Sequence, residues 1–112
     1  MYKQIISRDA LGDVPLDGLK GLYSEAVAHA GHDHAIIERR FTAANNAATL
    51  ALTILDRSGV SFLERGAMIE NLQGLFAYTS ANARHPHSVQ GRCAKAASAA
   101  ENLNAAIRAL QL

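Results

Sequence analysis

The sequence predicts an all-α protein, an antiparallel helical bundle of three long helices plus one short N-terminal helix. Three observations carry this. Apolar residues recur at steps of three and four between three breaks, Ala30-Gly31-His32-Asp33, Arg57-Ser58-Gly59-Val60-Ser61 and His85-Pro86-His87-Ser88. Residues suited to helix ends stand at each break. The composition, 49% hydrophobic and 19% charged over 112 residues, is that of a globular chain forming one domain.

Residues 1 to 12 read as an N-terminal arm. Behind them Asp13-Val14-Pro15 and the stripe Leu16, Leu19, Tyr23, Ala26, Ala30 predict a short helix at about 15 to 30, weakened by Gly18 and Gly21. Asp33 suits the cap of helix two and Gly59 the left-handed position past its end, which bounds that helix at about 34 to 57. Its polar residues Glu38, Thr42, Asn45, Thr49, Thr53 and Asp56 fall on one narrow line. Two apolar lines flank it, Ile37, Phe41, Ala44, Ala48, Leu52, Leu55 and Ile36, Ala43, Ala47, Leu50, Ile54. Most of the circumference therefore calls for burial, and helix two should be central.

Ser61-Phe62-Leu63-Glu64 is a capping box that opens helix three, with Ile69, Leu72, Phe76, Thr79 and Ala83 on one face. Pro86 disfavours helical backbone at His85, so this helix spans about 61 to 84. Ser88 can cap helix four, about 88 to 111, where Val89, Cys93, Ala96, Ala100, Leu103, Ile107 and Leu110 form a continuous stripe.

The charge balance excludes several functions. With 11 basic and 10 acidic residues the net charge is +1, too little to draw in a polyanion, so nucleic acid is not an expected partner. Met1 to Gly12 lacks a continuous apolar stretch and reads as neither signal peptide nor membrane span, so the expectation is a cytoplasmic protein with no membrane partner. Cys93 stands alone and reads as a small buried hydrophobe. No nucleophile elbow, glycine-rich phosphate loop or paired carboxylates stand out, so a non-enzyme without cofactor is expected.

Short connections make successive helices antiparallel neighbours, which gathers the start of helix two and the end of helix three at one end of the bundle. All five histidines, His29, His32, His34, His85 and His87, fall in the connections that meet there. His32, His34, His85 and His87 are candidate metal ligands, since zinc takes imidazole and carboxylate from adjacent loops, although no HExxH or CxxC pattern is present. The plainer reading is a polar helix start with solvated imidazoles, which charge together below about pH 6.5. Arg39, Arg40, Arg84 and Arg92 cluster toward the same end and are candidate contacts for an acidic partner surface.

His87-Ser88-Val89-Gln90-Gly91 resembles the His-x-x-Lys-Gly signature of histidine phosphotransfer domains, with Gln90 where the lysine stands and Pro86 placing His87 at a helix start. The stretches from Pro15 to Tyr23 and from Leu72 to Tyr78 loosely resemble flagellar export chaperones of the flagellin-binding type. That likeness offers an analogy for a role, a helical bundle that holds another protein.

Helix two, about 24 residues, spans roughly 36 Å at about 1.5 Å per residue, whereas the preceding helix of roughly 15 residues covers it only to about residue 49. Ala47, Leu50 and Ile54 are thus left as a partner or dimer interface, unless the arm covers them through Tyr2, Ile5 and Ile6. The expected function is a non-catalytic protein-binding module. It would be a small cytoplasmic regulator, antiactivator-like, or a chaperone that binds another protein and forms a homodimer. The alternative is a bundle with a functional histidine end, metal-binding or phosphotransferring.

Overall fold

The computed structural model describes residues 4–32, 36–58, 60–84 and 90–112, with the side chains of residues 90–92 excepted. The chain folds as a bundle of four helices, α1 (Leu16–Ala30), α2 (Ile37–Ser58), α3 (Phe62–Ala83) and α4 (Gln90–Gln111), preceded by a 3-10 turn at Asp9–Leu11. Among the described residues there is no strand. α2 packs along both α1 and α4, and α3 packs along α4, while α1 and α3 meet at few points.

Local chemistry sets the boundaries. Pro15, extended, stands just outside α1, and its carbonyl takes the first helical bond from Leu19 at 2.9 Å. Ser61 caps α3 as predicted, its hydroxyl accepting from the Glu64 amide at 3.2 Å. The Glu64 carboxylate pairs instead with Lys20 of α1, 3.5 Å away. α2 starts at Ile37, later than the predicted 34, with the Ile36 carbonyl accepting from the Arg40 amide at 3.1 Å. Ile36 leaves the apolar line and is 56% exposed. The proposed caps Asp33 and Ser88, and Gly59, lie outside the described residues.

The central position of α2 holds: every residue from Phe41 to Ala51 is buried. The threonines of its polar line bond within the helix. Thr42, Thr49 and Thr53 donate to the carbonyls four residues back, at 3.0, 3.3 and 2.8 Å. Facing it, the Asn102 amide of α4 donates to the Asn45 carbonyl at 3.1 Å and the Thr49 hydroxyl at 3.0 Å. Alanines on both helices, among them Ala44, Ala48, Ala96, Ala99 and Ala106, allow close approach.

The predicted interface on α2 is corrected. Ala47, Leu50 and Ile54 are 0%, 0% and 2% exposed, buried in the chain's own core with Leu72 and Leu103. The sequence left a second subunit and the arm as alternative covers, and in the structure the segment ahead of α1 packs on the same core through Ile6 and Leu11. The Arg57 guanidinium, at the end of α2, donates to the carbonyls of Leu11 and Gly12, each at 3.1 Å, and of Val14. Arg8 pairs with Asp56 beside it, and Leu11 is itself buried.

Candidate interaction surfaces

At one end of the bundle, the last turn of α1, the start of α2 and the end of α3 converge on Arg40. Its Nε–H donates to the Ala30 carbonyl at 2.9 Å, and its Cζ lies 4.2 Å from the centroid of the Tyr78 ring. Tyr78 in turn tilts against Phe41, with centroids 6.0 Å apart. His29 on α1 titrates below the ordinary imidazole range, first because burial penalises its charge and then because His32, Arg39 and Arg40 repel it. A positive cluster therefore exists here. Arg40 holds the fold together, however, and has little freedom to reach a partner.

Of the other residues proposed for this end, His32 is exposed and Arg39 half-buried. Arg84 is exposed just past α3, its Nε donating to the Ser80 carbonyl at 3.4 Å. His34, His85, His87 and the Arg92 side chain lie outside the described residues. Among the described residues no three His, Cys, Asp or Glu side chains are grouped so as to hold a metal ion. Cys93 is half-buried, its sulfur 3.9 Å from the Asn82 carbonyl.

The sparse contact between α1 and α3 leaves a cleft of about 240 Å³ lined by Lys20, Tyr23, Ser24, Met68 and Asn71. Burial pushes the Tyr23 phenol above its ordinary range, and the adjacent Asn71 side chain draws it partly back.

At the opposite end, two adjacent large apolar side chains stand in solvent at the start of α3. Phe62 is 88% and Leu63 84% exposed. Sequence reasoning placed both inside a capping box and gave them no role. The buried face of α3 is Met68, Leu72, Leu75 and Thr79, and Phe62 and Leu63 lie off it, although Phe62 stands seven residues before Ile69 on the face that the sequence marked.

Asn46 was missed as well. It is fully buried, its Oδ1 accepting from the Ile6 amide at 2.9 Å and its Nδ2 donating to the Gln4 carbonyl at 3.1 Å. A polar residue falling off the polar line of α2, beside Ala43 and Leu50, needs a partner from elsewhere. No family model, curated protein or solved structure matches the chain.

Proposed function

We propose that the chain is a non-catalytic protein-binding module, a small cytoplasmic regulator of the antiactivator kind or a chaperone, which holds a partner protein and forms a homodimer. The observation that carries this reading is the exposed pair Phe62 and Leu63. Covering a side chain of this size is worth about 1.5–3 kcal/mol, so an adjacent pair left in solvent is a natural anchor for another surface. This pair replaces Ala47, Leu50 and Ile54 as the contact surface. Arg39 and Arg84 are the basic groups offered to an acidic partner.

The reading takes successive helices as antiparallel. Arg57, ending α2, bonds ahead of α1, while Arg40, starting α2, bonds to the last residue of α1. Asn82, near the end of α3, meets Cys93, near the start of α4.

The test is Phe62→Glu with Leu63→Glu, studied by light scattering after size exclusion. The parent should be a dimer at micromolar concentration and the double variant a monomer with unchanged helical circular dichroism. A monomeric parent refutes the dimer. A partner captured equally by parent and variant refutes this surface.

A further inference from the structure

The way Asn46 holds residues 4–6 is that of a strand edge. The Gln4 carbonyl and Ile6 amide flank Ile5 and point to the same side of an extended chain, and one side-chain amide satisfies both, at 3.1 and 2.9 Å. These bonds read main chain only. They ask that the segment be extended and that its third residue carry an N–H, which excludes proline there. Ile6 adds a side chain packed on the core, whereas Ile5 remains 61% exposed. Against Ile5 lies a cavity of about 400 Å³ between α2 and α4, lined by Phe41, Thr42, Ala94, Lys95 and Ser98.

We infer that the groove between α2 and α4 is a docking site for an extended peptide segment of a partner protein, occupied in cis by residues 4–6. Three features define the ligand. Asn46 is fully buried beneath the segment and gives both its amide oxygen and its amide nitrogen to main chain, so another extended chain can take over the same two bonds. The third position takes a branched aliphatic side chain, as Ile6 does. The second position faces the cavity that Ile5 fills poorly, and takes a larger apolar side chain, Phe or Tyr, in its place. This names a second surface for the protein-binding reading and rests on that reading only for the existence of a partner. Its test is independent of Phe62 and Leu63.

The test uses the full chain carrying Ile6→Pro, which removes the donor to Asn46, and a fluorescent hexapeptide with the sequence of Gln4 to Asp9. Anisotropy should show saturable binding at least ten-fold tighter to this variant than to the parent. Phenylalanine at the second position of the probe should tighten binding several-fold, and N-methylation of its third residue should abolish it. Adding Asn46→Ala should weaken it at least ten-fold. Absence of saturable binding to a folded Ile6→Pro chain overturns the proposal, as does binding indifferent to Asn46→Ala. An Ile6→Pro chain that fails to fold also overturns it, because the segment is then part of the core and not displaceable. In the parent, the Ile6 amide should exchange with solvent more slowly than in the free probe; equal rates show that the clamp is not made. A parent dimer abolished by Asn46→Ala makes a second copy's arm the occupant and overturns the partner-peptide form.

Discussion

The Asn102 side chain of α4 donates to two acceptors on α2 at once, the carbonyl of Asn45 and the hydroxyl of Thr49, at 3.1 and 3.0 Å. Thr49 is buried and its hydroxyl donates a hydrogen bond to the same Asn45 carbonyl, so three polar groups share one junction between the helices. Replacing Asn102 by Leu removes both donors and should cost about 1–3 kcal/mol, read as a lower midpoint in urea unfolding at unchanged slope. Asn102→Asp should be worse near neutrality, because it turns a carboxylate toward the carbonyl.

Leu50→Ala tests the corrected role of the second apolar line. Leu50 is fully buried within one chain, so the substitution should lower the stability of the subunit by about 2–5 kcal/mol. Thermal unfolding of dilute protein checks this. A loss that grows with dilution would instead return Leu50 to an interface between subunits.

Arg57→Lys should not substitute for Arg57. A single ammonium cannot reach the three carbonyls that the guanidinium fork holds. Global stability should fall by about 1–2 kcal/mol, since Arg57 is exposed and lysine keeps the charge and part of the bonding. The local effect should be larger. Exchange of the Val14 amide, which bonds to the Leu11 carbonyl at 3.1 Å, should accelerate well beyond that of amides in α2.

Stability should fall with acid below about pH 6.5, the ordinary value of an imidazole. His29 is depressed below its ordinary value by burial first, then by His32, Arg39 and Arg40, so the unfolded chain binds its proton more readily. Stability is therefore full above about pH 6.5 and is lost as the pH falls through that value toward the folded pKa. His29→Gln should flatten this part of the profile, and added salt should flatten the part due to the arginines. An unchanged slope in His29→Gln would assign the effect to another group.

Much of the fold was legible because its signals are local. The capping serine at Ser61, Pro15 ahead of α1 and the stripe through Leu103 and Leu110 each depend on residues within a turn or two. What sequence reading missed depends on contacts far along the chain. Residues 1 to 12 have no helical period and read as an arm whose cover of helix two stayed open, although Arg57, more than forty residues away, fixes the path of Leu11 to Val14. Choosing a second subunit over that arm is what assigned Leu50 and Ile54 to an interface. The pair Phe62 and Leu63 was overlooked for the opposite reason: the local capping motif around Ser61 accounted for the stretch and drew attention from two large side chains off the buried face of α3.

The Arg57 clasp also bears on how the sequence is free to drift. It grips carbonyl oxygens, which every amino acid supplies, so the identity of the residue at position 12 carries almost no information about the path of the segment. That information resides at position 57. Among descendants of this chain, residues around the clasp can diverge until no similarity is left while the shape persists, so long as one guanidinium is inherited unchanged.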